Sequence, residues 1–155
     1  MKDREAKHIE DGFEGQQFVV LSETDRLRCA AHPVASHVYP LTFGYYPSAP
    51  GHRVHRREGK RGCTLICVLD GEGSLELDGQ LFSISKNSVF VIPAYAGHTY
   101  EADGLYPWST IWVRFEGRME EHYRQLLGAT LADPVLCMPQ PGALSECLQE
   151  TLLDP

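Results

Sequence analysis

Between Gly62 and Phe115 the chain alternates strand-length apolar runs with tight turns, and that rhythm leaves few folds open to it. The segment reads GCTLICVLDGEGSLELDGQLFSISKNSVFVIPAYAGHTYEADGLYPWSTIWVRF, with DGEG, LDGQ, SKNS and ADG separating four or five such runs. Asp78-Gly79 is the sharpest of these turns, because both central residues of a type I′ hairpin need positive φ and Asp-Gly tolerates it. Short strands at even spacing close into a small antiparallel barrel or double sheet. Such a barrel has a mouth, and a mouth is where a small ligand is held.

A chain of 155 residues makes one domain with a full core. No apolar run reaches membrane-spanning length, and the charged start MKDREAKHIEDGFEGQ is unlike a signal peptide, so a cytoplasmic protein with no membrane partner is expected. The five cysteines are odd in number and follow no metal-finger spacing, which predicts reduced thiols. Cys63 and Cys67 share a strand face with Leu65 and Leu69 and read as core. The net charge of −7 argues against a DNA grip by this chain itself, since the basic stretch HRVHRREGKR at 52–61 is one short patch.

Three regions follow: a polar, frayed arm over 1–16, a barrel over 17–117 and a helical region over 118–155. Phe18–Leu21 is expected as the first strand, with Leu27–Ala30 pairing to it. His32–Pro40 reads as a connection, and Leu41–Tyr46 and His52–Arg57 as further strands. After Gly117 the period changes. Met119, Tyr123, Leu126 and Leu127 recur at helical spacing with Glu120, Glu121 and Arg124 opposite, and Gly128 is the expected stop. An extended PVLCMPQ leads to a second amphipathic helix with Leu144, Cys147, Leu148, Thr151 and Leu152 on one face. The first helix is expected to pack on the barrel, and Leu144, Leu148 and Leu152 to meet their twins in a two-fold homodimer. The ending at Pro155, just past that helix, reads as a cut inside a longer protein.

From about Phe18 to Gly128 the chain resembles the N-terminal effector-binding and dimerisation domain of AraC-family transcription regulators. The residues that carry the likeness are FVVL, then GYYPSAPGHRVHRREG, then LDGEGSLELDG, FVIP, GHTYEA and PWSTIWVRFEG, in that order and spacing. The resemblance implies a mainly β fold, a cupin-like antiparallel barrel (double-stranded β-helix or jelly roll) followed by α-helices. It implies a sugar or small organic acid as effector, no cofactor and no catalytic residue. It also implies DNA contact only through a helix-turn-helix domain downstream of this chain.

By the same resemblance Arg56 matches the arginine that contacts the sugar in the arabinose-responsive member. Tyr100 matches the tyrosine after the Ile-Pro-to-His segment, Trp112 the tryptophan late in the last long strand, and Tyr46 a further pocket residue. The chemistry is coherent: a guanidinium fork holds hydroxyls or a carboxylate, and an aromatic face stacks on a ring. Trp112 equally fits a core residue, Tyr100 a rim residue and Arg56 a surface residue. Thr110 stands where the arabinose sensor has a sugar-contacting histidine, which puts arabinose itself in doubt. Lys86-Asn87-Ser88 and Pro93-Ala94-Tyr95 also depart from the family's turns. His98 orients its loop or donates to a ligand.

The competing reading is a metal-dependent cupin enzyme, such as a sugar isomerase or dioxygenase. Its ligands would come from His52, His55, Glu58 and His98, but His52 and His55 should face opposite sides of a strand. No nucleophile elbow, phosphate loop or carboxylate pair supports other catalysis. A third reading is a barrel used for dimerisation alone, its pocket filled by its own side chains.

Overall fold

The computed structural model describes residues 8–138, 140, 142–143, 146–147 and 149–150. Strand β1 (Gln17–Val20) is followed by helix α1 (Glu23–Ala31), a single 3-10 turn (Ala35–His37) and strands β2 (Tyr39–Tyr46), β3 (Arg53–Arg56) and β4 (Cys63–Asp70). Then come β5 (Gly73–Leu77), β6 (Gln80–Ile84), β7 (Ser88–Ile92), β8 (His98–Ala102) and β9 (Ser109–Glu116). Helix α2 (Glu120–Leu127) and the short strand β10 (Val135–Cys137) complete the named elements.

The strands form two antiparallel sheets, ordered β1-β2-β9-β4-β7-β10 and β3-β8-β5-β6. From β2 to β9 the chain crosses between the sheets at every connection except the β5–β6 hairpin, which gives the jelly-roll, cupin-like barrel expected from the sequence. That hairpin turns on Asp78 (φ 51°) and Gly79 (φ 74°), as type I′ geometry demands.

Alternation along each strand sorts side chains between two apolar layers. Ile66, Val68, Leu75, Leu77, Phe90 and Trp108 fill the space between the sheets. Cys63, Cys67, Val89, Val91 and Ile111 lie on the outer face of the larger sheet, where Ala129 and Met138 cover them. The Cys63 and Cys67 thiols are unbridged and buried, and burial pushes both up to about 12.

Leu27–Ala30 is not a strand. It lies inside α1, whose N-cap Ser22 accepts the Asp25 backbone N–H at 3.1 Å, with Glu23 and Asp25 in the first turn and Arg28 in the last. A four-residue stretch carries no period of its own, and the cap decides between helix and strand. The helix is tied to the barrel through Arg26, 3.6 Å from the buried Glu116 carboxylate. Glu116 also accepts from the Tyr39 hydroxyl (2.7 Å) and Arg61 Nε (2.6 Å).

The N-terminal arm is docked rather than frayed from Ile9 onward. Ile9 donates its N–H to Gly51 and accepts from Arg53, and Phe13 is buried at 5% exposure. Helix α2 ends at Gly128 in the left-handed conformation (φ 79°), but none of its residues is buried and Leu126 is 70% exposed. The expected packing on the barrel therefore covers its apolar face only in part. Residues 142–143, 146–147 and 149–150 are helical. Leu144, Leu148 and Leu152, the expected dimer face, lie outside the described residues.

Candidate functional site

Strands β2, β9 and β4 turn their even-numbered residues toward the barrel interior. Their registers set Thr42, Arg114 and Thr64 in one row, Gly44, Trp112 and Ile66 in the next, and Tyr46, Thr110 and Val68 in the third. On the opposing sheet Val54 pairs with Tyr100 and Arg56 with His98. The two faces enclose a cavity of about 330 Å³. Its place is made in part by Gly44, where a Cβ would stand 2.6 Å from Trp112 Cζ2 and 2.7 Å from Phe18 Cβ.

Tyr46, Arg56, His98, Tyr100, Thr110 and Trp112 all line this cavity. Strand alternation brings Arg56 inward, while its neighbours Arg53 and Arg57 are left out of the lining. Tyr46 and Trp112 pack at 5.9 Å between ring centroids, and His98 stacks on Tyr100 at 5.7 Å. Burial pushes the Tyr46 hydroxyl up to about 12 and raises Tyr100, which the nearby Arg56 guanidinium partly opposes. The His98 ring bonds the Ala96 carbonyl through Nδ1 at 2.8 Å, and burial lowers its pKa.

Several lining residues were not among the sequence candidates: Arg114, Lys60, Thr42, Thr64 and, from the arm, Glu10 and Asp11; His52, weighed there only as a metal ligand, lines the cavity too. Arg114 continues the inward series Thr110–Trp112–Arg114, and that alternation was the signal available for it. Lys60 belongs to the basic stretch at 52–61 and sits just before β4. Burial and the positive charges of Arg56 and its neighbours hold both Lys60 and Arg114 below their ordinary pKa. Arg56 finds an acid in Glu10, 3.8 Å away.

His52 has a structural partner. Trp108 Nε1 donates to its Nδ1 at 3.0 Å, and Phe13, Tyr46 and Tyr100 pack around the ring. An indole N–H only donates, so Nδ1 carries no proton. Burial first, then Arg56, pushes His52 down to about 4. His55 points away to Thr99 Oγ1 at 2.6 Å. Among the described residues no three His, Cys, Asp or Glu side chains are grouped as metal ligands.

Four polar atoms of cavity-lining residues are buried without a hydrogen-bond partner among the described residues: Thr110 Oγ1, Trp112 Nε1, Arg114 Nε and Arg114 Nη1. The last three can only donate. A buried donor left unmatched costs about 1–3 kcal/mol, so a cluster on one wall is a feature with a use.

Fold and cavity together define a double-sheet barrel enclosing a pocket lined by aromatic and aliphatic side chains and by several charged and hydroxyl groups. The AraC-like ligand binding domain model matches residues 39–153, and the chain belongs to that family. It is 27% identical over 94 residues to the MmsAB operon regulatory protein of Pseudomonas aeruginosa, covering 58% of this chain and 30% of that protein. It is 31% identical over 55 residues to the Msm operon regulatory protein of Streptococcus mutans, covering 36% of this chain and 20% of that one. The chain thus spans under a third of the length of the curated relatives it matches. Among solved structures, YhaK from Escherichia coli superimposes with a TM-score of 0.53 at 10% identity, covering 83% of this chain and 53% of that one. At that identity the likeness concerns the fold alone.

Proposed function

We propose that this chain is the effector-sensing part of an AraC-type transcription regulator and that its effector, a sugar or small organic acid, sits in the barrel cavity. The observation that carries the reading is the set of unpartnered polar atoms on Thr110, Trp112 and Arg114, three residues that line a cavity aromatic rings otherwise wall. A barrel filled for its own stability would match those donors internally; a receptor leaves them for its ligand. Tyr46, Tyr100 and Trp112 supply ring faces, and Arg56, His98 and Thr110 supply polar contacts.

In this reading the ligand acts by linkage. It binds one arrangement of the segments at the mouth better than another and so biases how the rest of the regulator is held. The remaining parts of the proposal are a homodimer through Leu144, Leu148 and Leu152, a DNA-reading domain beyond this chain, a cytoplasmic location and no catalytic role. The net charge of −7 agrees with DNA contact being made elsewhere.

The test is a thermal-shift screen against neutral sugars, sugar acids and small aromatic acids, repeated with Arg56→Ala. A ligand at about a hundred times its dissociation constant adds roughly 2.7 kcal/mol, a shift of several degrees. A hit in the wild type that weakens in the variant supports the sensor. A protein that no small molecule stabilises, and that only divalent metal salts stabilise, would return the enzyme reading.

A further inference from the structure

We propose that the effector is a small carboxylate bearing a second oxygen acceptor, anchored by Arg114. This rests on the sensor reading above and narrows it to one chemical class. Arg114 stands in the row with Thr42 and Thr64, so its guanidinium has hydroxyl-bearing neighbours on both adjoining strands. Its Nε and Nη1 are buried without a partner, and neither Arg114 nor Lys60 makes an ion pair among the described residues.

Among the described residues the acids that line the cavity are fewer than the cations. Arg56, Lys60 and Arg114 line it, against Glu10 and Asp11 on the docked arm. Glu10 approaches Arg56 at 3.8 Å. Glu116, next in the inward series on β9, is already engaged by Tyr39 and Arg61. The depressed pKa values of Lys60 and Arg114 express the same excess: burial and like charge both act against these cations. An incoming anion offsets the like charge, and a planar carboxylate suits a guanidinium donor set. Among the described residues no helix contributes to the lining, and so none sets there the helix N-terminus that commonly cradles phosphate.

The second oxygen follows from the next inward positions. Trp112 is two residues from Arg114 on the same face, roughly 7 Å along the strand, and its indole N–H requires an acceptor. Thr110 lies one step further and offers its hydroxyl. A ligand with its carboxylate at Arg114 and a hydroxyl or carbonyl oxygen directed at Trp112 satisfies both rows.

The experiment titrates the chain with acetate, acetamide, glycolate and inorganic phosphate at constant ionic strength, reading the melting temperature. Acetate and glycolate are expected to stabilise saturably and acetamide not at all. Glycolate should bind more tightly than acetate in the wild type but not in Trp112→Phe. In Arg114→Gln the apparent affinity for acetate should fall at least tenfold, while Arg57→Gln, outside the cavity, leaves it unchanged. Arg114→Gln should also melt no lower than the wild type without ligand, because the substitution removes a half-buried cation that faces like charge. Equal effects of acetate and acetamide in the wild type, a readout that depends on no variant, would overturn the proposal. So would a response to phosphate without acetate, or an acetate response that survives Arg114→Gln. A neutral sugar that binds in the earlier screen while acetate does nothing sinks the carboxylate and leaves the sensor standing. Silence in both experiments removes both.

Discussion

His52 is the residue whose setting makes the most direct claim on solution behaviour. Its Nδ1 is held as an acceptor by Trp108, its ring is enclosed by aromatic neighbours, and burial lowers its pKa from the ordinary 6.5 to about 4. The unfolded chain therefore binds a proton between those values that the folded one refuses. The stability that neutral His52 contributes is fully present above about pH 6.5, declines as pH falls through this window and is lost by about pH 4, where the folded ring also titrates. At about 1.4 kcal/mol per pH unit the decline approaches roughly 3 kcal/mol. Urea midpoints between pH 7 and pH 4 should fall more steeply for the wild type than for His52→Gln, which keeps an acceptor for the indole. Coincident slopes would mean that His52 is not held neutral. Arg114 shows the limit of reading at this scale. It follows the same alternation that turns Trp112 inward, yet an arginine in a strand is as often a solvated edge residue, and only the registers of β2 and β4 set it between Thr42 and Thr64.

At the scale of elements, the strands were legible because turn chemistry and alternation agree. Asp78-Gly79 forms its hairpin, and Thr110, Trp112 and Arg114 share one face as period two requires. Helix α1 was hidden because LRCA is too short to show a period, and its governing feature, Ser22 capping Asp25, lies outside that run. The cavity also depends on a position that sequence alone leaves mute. Gly44 lies opposite Trp112 in the β2–β9 register, and a Cβ there would crowd the indole, the Phe18 side chain and, at 2.9 Å, the Gln17 carbonyl oxygen. The indole could swing aside, but the backbone oxygen belongs to β1 and cannot move without breaking its pairing to β2. Gly44→Ala should therefore cost about 1–3 kcal/mol, in the range for overpacking, and abolish ligand-induced stabilisation by pushing Trp112 into the cavity. Denaturant midpoints and the ligand titration, measured on the same variant, check both halves. A variant of wild-type stability that still responds to ligand would show that β1 yields.

For the whole molecule, the arm is where the sequence reading and the structure part most. A stretch as polar as residues 1–16 has little apolar surface to bury, and composition averaged over it predicts fraying. The average conceals Ile9 and Phe13. Phe13 packs 4.9 Å from Tyr46 and 5.1 Å from His52, ring centroid to ring centroid, so two residues of the cavity wall rest on a side chain that the arm contributes to the core. Backbone bonds from Ile9 to Gly51 and from Arg53 to Ile9 bind the arm to the start of β3. Arm and barrel should then unfold as one cooperative unit. Truncating a buried phenylalanine to alanine costs about 3–5 kcal/mol. In a domain of this size each kcal/mol moves the melting temperature by roughly 2–4 °C. Phe13→Ala should accordingly lower the midpoint by roughly 6 °C or more in a single transition, whereas Phe18→Ala, at a position 43% exposed on edge strand β1, should move it far less. A Phe13→Ala melt within a degree of the wild type would mean that the arm merely lies against the barrel, and that Tyr46 and His52 hold their places without it.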